Sequence, residues 1–267
     1  MLSFPNAKIN LGLHITKRRG DGYHNIETIF YPIGIKDVVE ITDAAETSCI
    51  IHGIDIPGKA DDNLCLKAFN LLAADFDIAP QKINLLKTIP VGAGLGGGSA
   101  DAAFTLKLLN QRFELDLSDE QLLDYAKKLG ADCAFFIKNK PAFAFNKGDE
   151  FEDIEVDLSN YFMVVVMPTI HVSTSNAYAN AKPQKPVKSI KEITRQPIDT
   201  WSEELTNDFE ESVFKKHPAI AEIKVKLYNA GAIFALLSGS GASVFGIFEK
   251  EVQLPFLEKD NKVFYKV

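Results

Sequence analysis

Apolar and polar residues alternate along positions 7–15. Ile9, Leu11, Leu13 and Ile15 share one face, and Lys8, Asn10, Gly12 and His14 share the other. A period of two is the mark of a strand, whose side chains point to opposite faces in turn. Further apolar runs read as strands at 26–35, 38–42, 82–89, 133–137, 142–145, 162–167, 233–237 and 243–248. Helical spacing intervenes between them. Asp62 or Asn63 caps a helix through Leu64, Ala68, Leu71 and Leu72. Ser118 and Gln121 form a capping box ahead of Leu122, Leu123, Ala126 and Leu129, with Gly130 as the stop. Pro218 suits the first turn of a helix running to Tyr228, with Gly231 beyond its end. Positions 182–197 break the pattern: Pro183, Pro186 and Pro197 among five Lys/Arg predict an exposed connection or a mobile loop. Strands and helices mixed in this way predict an α+β class with two layers in each half. Gly148 and the acidic run after it predict a boundary within 147–157. The expected domains are then 1–150 and 151–267, with the last few residues returning to the first.

Composition narrows the function classes. A chain of 267 residues with 46% hydrophobic and 24% charged residues is long enough to bury a sizeable core and is unlike a disordered chain. No apolar run approaches the roughly 20 residues that span a bilayer. With 29 Lys+Arg against 36 Asp+Glu the net charge is 29 − 36 = −7, which disfavours bulk binding to nucleic acid or anionic membrane. Cys49, Cys65 and Cys133 are scattered, and the five histidines include no H-E-x-x-H pair, so neither a disulfide framework nor a metal site is expected. A reducing cytoplasm is the expected location, and a monomer or weak homodimer the expected state.

The densest chemical signal is the run Pro90, Val91, Gly92, Ala93, Gly94, Leu95, Gly96, Gly97, Gly98, Ser99. Five glycines in seven positions stand between a predicted strand and a helix rich in small residues. Such a loop lets the backbone approach a ligand, and the free amides at the helix start favour phosphate. A P-loop would need a Lys before Ser99, and the protein-kinase motifs are missing. Gly92, Gly94 and Gly97 match the dinucleotide fingerprint, with Glu114 and Asp116 at a tolerable distance for a ribose. That fingerprint belongs to a βαβ unit, whereas the strands flanking this loop read as antiparallel.

Residues 90–103 resemble the phosphate-binding motif of the GHMP kinase superfamily. Ala7-Lys8-Ile9-Asn10-Leu11, Asp21-Gly22-Tyr23-His24, Asp62-Asn63-Leu64, Leu129-Gly130-Ala131-Asp132 and Leu237-Ser238-Gly239-Ser240-Gly241-Ala242 follow in the family's order. Together they are similar to the branch that phosphorylates the 2-hydroxyl of a cytidine-diphosphate-linked methylerythritol in non-mevalonate isoprenoid biosynthesis. Gly98 departs from the Ser common in relatives, and Cys133-Ala134 from Val-Pro. The resemblance implies a ribosomal-protein-like N-terminal domain, a ferredoxin-like C-terminal domain and an active-site cleft between them. It implies that ATP with Mg²⁺ serves as phosphoryl donor to a small molecule. Asp132 and Lys8 would be catalytic, with the Lys8 ammonium offsetting charge on the phosphoryl group. Residues 90–99, with Asn63 and Lys87, would hold ATP. Asn10, Tyr23, His24, Thr174, Tyr178, Gly239, Ser240 and Gly241 would hold the acceptor, with His24 on the cytosine edge and Tyr23 and Tyr178 stacking on the base. Another GHMP kinase, a nucleotide sensor without turnover and an RNA-binding protein are the competing readings. Lys8 and Asp132 together speak against a pure binder, and the net charge against RNA.

Overall fold

The computed structural model describes residues 1–56, 58 and 60–267. Its first elements are β1 (Leu2–Ser3), β2 (Asn6–Arg18), β3 (His24–Lys36), β4 (Val38–Asp43), β5 (Ser48–Gly53), α1 (Leu64–Ala73) and β6 (Gln81–Lys87). Then come α2 (Gly97–Arg112), α3 (Asp119–Leu129), α4 (Ala131–Lys138), β7 (Ala142–Phe145), β8 (Glu150–Asp153), β9 (Phe162–Pro168) and α5 (Thr174–Ala179). The last are α6 (Ile190–Ile193), α7 (Trp201–Glu204), α8 (Glu210–Lys216), α9 (Pro218–Asn229), β10 (Phe234–Leu237), β11 (Val244–Phe248), α10 (Pro255–Glu258) and β12 (Asn261–Tyr265). The α+β reading of the sequence describes this architecture.

Two compact units interleave along the chain. The first comprises Met1–Ala7, Ile35–Val91 and Gly96–Lys140, and the second Lys8–Gly34, Gly92–Leu95 and Pro141–Val267. In the first unit the strand order β1-β4-β6-β5 makes a mixed sheet. β6 runs antiparallel to β4 and parallel to β5, with α1 as the crossover between β5 and β6. A βαβ unit is therefore present, but it ends before the glycine loop begins, which does not favour the dinucleotide reading. α1, α2 and α4 bury Leu72, Leu106, Leu109 and Phe136.

The helix starts follow their caps. Asn63 Oδ1 accepts from the Cys65 amide at 2.8 Å, and Ser118 and Gln121 make the expected reciprocal box. Positions 133–137, expected as a strand, form α4 instead. A short apolar run cannot announce its period, and Cys133, Ala134, Phe135, Phe136 and Ile137 are all buried because α4 packs against both α2 and α3.

In the second unit β2-β3-β7-β8 form one antiparallel sheet and β10-β11-β9-β12 another. Val164, Val166, Phe209, Ile220, Leu227 and Val244 sit in its core. The alternation in β2 sorts its side chains as expected, yet every residue from Asn6 to Ile15 is buried, so the polar face is not a solvated one. Gly12 makes this burial feasible, since a Cβ there would lie 2.6 Å from Leu205 Cδ1 and 3.0 Å from Ile190 Cδ1. Eight of the sixteen residues at 182–197 are exposed, as a connection on the surface would be, and α6 anchors the segment through buried Ile190 and Ile193. β5, β8 and β12 are additional short strands that the pattern did not announce. Among the described residues no helix is long and apolar enough to cross a membrane.

Candidate active site

Lys8 leads the polar face of β2 and is 3% exposed. Its Nζ donates to Asn10 Oδ1 at 2.6 Å and to the Gly94 carbonyl at 3.4 Å, and it lies 4.7 Å from the centre of the Phe30 ring. Asn10 is itself fixed, because its Nδ2 donates to Thr28 Oγ1 and that hydroxyl donates to the Gly12 carbonyl. A buried ammonium in a fixed position carries a strong local positive field.

Two glycine segments of the second unit surround this lysine. The Lys8 amide donates to the Leu95 carbonyl at 2.9 Å, and the Ser243 amide to the Ala93 carbonyl at 3.1 Å. Ser238 Oγ donates to the Gly94 carbonyl at 2.8 Å. Gly94 has a φ of +77°, and a Cβ there would collide with the Ser238 carbonyl. Only glycine serves at a left-handed position so close to another backbone. Asn207, which sequence reading missed, braces the opposite segment: its Nδ2 donates to the Leu237 and Gly239 carbonyls, both at 2.8 Å. An Asn in a Thr-Asn-Asp run carries no local signal of a partner 30 residues away. Ser240 is buried, and its hydroxyl meets that of Thr174 at 3.0 Å.

The rest of the glycine loop opens α2 in the first unit. Gly96, with φ +70°, is the N-cap and offers no side-chain acceptor to the amides that follow. Free amides and the positive end of a 16-residue helix favour negative charge at this point. Asp132 is half-buried in the first turn of α4. The next residue, Cys133, shares a hydrogen bond with Ser99; burial nevertheless pushes its thiol up to about 12. That contact brings the start of α4, with Asp132, beside the start of α2. Asn63 is buried as the cap of α1. Lys87 is interior, its ammonium held by Asp37 and Asp101. Pro90 and Val91 lead into the loop, with Val91 exposed.

His24 and Tyr178 stack on each other, with centroids 5.0 Å apart and planes 17° apart, and Phe209 meets Tyr178 edge-on. Tyr23 is 64% exposed, with the Lys147 ammonium over its ring. His24 is held below its ordinary pKa, first by burial and then by Arg18, so its imidazole is neutral at neutral pH.

Residues 63–140 match the family model of the GHMP kinases N terminal domain, and residues 189–260 that of the GHMP kinases C terminal domain. The 4-diphosphocytidyl-2-C-methyl-D-erythritol kinase of Bacteroides thetaiotaomicron is 52% identical over 268 residues, covering 99% of this chain and 98% of the relative. The chain belongs to the 4-diphosphocytidyl-2-C-methyl-D-erythritol kinase family of GHMP kinases. A crystal structure of 4-(cytidine 5'-diphospho)-2C-methyl-D-erythritol kinase superposes on this GHMP kinase with a TM-score of 0.80 at 29% identity. It covers 99% of this chain and 98% of its own. A mevalonate kinase structure, at 18% identity and a TM-score of 0.72, shares the GHMP fold. Among the described residues no three His, Cys, Asp or Glu side chains gather as metal ligands.

Proposed function

We propose that this GHMP kinase transfers the γ-phosphoryl group of ATP to the 2-hydroxyl of 4-diphosphocytidyl-2-C-methyl-D-erythritol. The products are the 2-phosphate and ADP, a step of the methylerythritol phosphate route of isoprenoid biosynthesis. The observation that carries the reading is the 52% identity to a kinase of that name along essentially the whole chain. The buried Lys8 ammonium beside Gly94, and the His24–Tyr178 pair, supply chemistry that such a reaction needs.

The amides that start α2 hold the ATP phosphates, with Asn63 on the adenosine side, while the Lys87 ammonium is buried against Asp37 and Asp101 and does not reach the nucleotide. The 2-hydroxyl oxygen bonds to the γ-phosphorus as the bond to the β,γ-bridging oxygen breaks, and the hydroxyl proton passes to Asp132. Lys8 offsets the negative charge spread over the transferring group. Mg²⁺ enters with ATP as part of the substrate and neutralises its β- and γ-phosphates. Ser99 Oγ, in the first turn of α2, is an oxygen on that side. His24 and Tyr178 take the cytosine, with Tyr23 at the rim. Asn10, Thr174, Gly239, Ser240 and Gly241 line the acceptor.

An acceptor panel tests the proposal. ADP release is measured with 4-diphosphocytidyl-2-C-methyl-D-erythritol, homoserine, mevalonate and galactose, using wild type and Asp132→Asn. Release is expected with the cytidyl substrate alone and should fall about 100-fold or more in the variant. Release with homoserine or galactose would keep the fold and overturn the substrate.

A further inference from the structure

Asn207 lies between α7 and α8 in the second unit and is 3% exposed. Its backbone is fixed against β2: the Thr206 carbonyl accepts from the Leu13 amide, and the Asp208 amide donates to the Leu13 carbonyl, both at 2.9 Å. The side chain is then engaged at both ends. Nδ2 donates to the Leu237 and Gly239 carbonyls at 2.8 Å, and Oδ1 accepts from the Phe209 amide at 3.0 Å. Two carbonyls facing the NH₂ and an amide facing the oxygen fix which way the group points.

Each end leads to a different part of the site. The two carbonyls flank Ser238, whose amide donates to the Ser243 carbonyl at 2.9 Å and whose hydroxyl donates to the Gly94 carbonyl at 2.8 Å. Gly94 belongs to the glycine loop, and its carbonyl also accepts from the Lys8 ammonium. At the other end the Phe209 ring meets Tyr178 edge-on at 4.8 Å, and Tyr178 stacks on His24. Ser238 and Phe209 are 0% and 1% exposed. Close-packed interiors do not absorb displacements, so a shift at Asn207 is passed to both ends.

We propose that Asn207 is a positioning residue with two arms: through Ser238 it sets the glycine loop for phosphoryl transfer, and through Phe209 it sets the His24–Tyr178 pair for the acceptor. The asparagine side chain is the group that fits. A carboxylate would set oxygen against two carbonyls, and an apolar side chain would leave those carbonyls and the Phe209 amide unmatched. The proposal rests on the kinase reading and adds to it a residue that acts through others.

Steady-state kinetics with ATP and 4-diphosphocytidyl-2-C-methyl-D-erythritol separate the arms. Ser238→Ala breaks the loop arm alone and should lower kcat about fivefold, with the acceptor KM within about twofold of wild type. Phe209→Leu loosens the aromatic arm alone and should raise the acceptor KM about threefold, with kcat within about twofold. Asn207→Asp keeps the acceptor for the Phe209 amide and loses both donors, so it should behave like Ser238→Ala. Burial beside two carbonyls raises the pKa of the introduced carboxyl, and its protonation returns one donor. The kcat of Asn207→Asp relative to wild type should therefore rise as the pH falls from about 8 to about 6. A merely structural role would lower Tm and leave that ratio flat. A folded Asn207→Asp with wild-type kcat, or with a ratio independent of pH, would overturn the proposal. So would Ser238→Ala and Phe209→Leu that change kcat and KM in the same way, a result that needs no variant at position 207 to fold. A wild type inactive on the cytidyl acceptor would instead overturn the kinase reading, and this proposal with it.

Discussion

His24 and Lys8 show how much a single position in the chain can and cannot announce. His24 follows a turn-rich stretch, and its role as a cytosine contact depends on a neutral ring. Because burial and Arg18 lower its pKa, the imidazole gains its proton only as the pH falls below its ordinary 6.5. The kcat/KM for the cytidyl acceptor, profiled from about pH 5 to about pH 8, should be flat above 6.5 and decline below it. His24→Gln should flatten the acid limb while leaving the KM for ATP unchanged. A decline that starts above 6.5 would mean that His24 is not held neutral in the way described. Lys8 and Asn10 were legible as a polar pair on one strand face. That the face is buried was not legible, because the elements covering it come from distant parts of the chain. Leu205 and Ile190, which pass over Gly12, lie far beyond any local window.

At the scale of elements, the caps were read correctly and the interior charges were not. Asn63, Ser118 and Gln121 signal helix starts within a few residues of themselves, and the structure places each as expected. The glycine loop was visible for the same reason, being a contiguous run. α4 was misread because five consecutive apolar residues suit a buried strand and a buried helix alike. The buried triad of Asp37, Lys87 and Asp101 escaped notice since its pairs are 50 and 14 residues apart, so Lys87 alone drew attention. It joins β6, α2 and the turn before β4, and its stability has a definite pH dependence. Burial, opposed by Lys87 and reinforced by Asp37, pushes the Asp101 carboxyl up to about 7. The folded state thus holds a proton that the unfolded chain releases near 3.8. This contribution is complete below 3.8 and is lost as the pH rises through about 7. Lys87→Met removes the ammonium between two buried carboxylates and should destabilise the protein by roughly 3–5 kcal/mol at neutral pH. The deficit should shrink toward about pH 4, where the carboxylates can take up protons. Urea unfolding at both pH values checks this. A loss below about 1 kcal/mol, equal at both, would show that the triad does not hold these elements together.

For the molecule as a whole, fold class and family were legible in the order and spacing of short motifs from residue 7 to about 248, more than in any one of them. The family matches at 63–140 and 189–260 agree with that order. What the sequence could not convey was how the chain is partitioned. The second unit takes β2 and Gly92–Leu95 along with the C-terminal half, while Gly96 onward belongs to the first. The glycine loop is thereby shared by the two units, with its Gly94 end against Lys8 and Ser238 and its Gly96 end opening α2. The proposed reaction is defined by where one phosphoryl group goes. Its most direct test is the ³¹P NMR spectrum of the purified product of wild type, ATP, Mg²⁺ and 4-diphosphocytidyl-2-C-methyl-D-erythritol. A new phosphomonoester signal beside the intact diphosphate pair, assigned to the 2-oxygen and missing with Asp132→Asn, is the predicted result. Inorganic phosphate alone, or a phosphomonoester on another hydroxyl, would rule out transfer to the 2-oxygen.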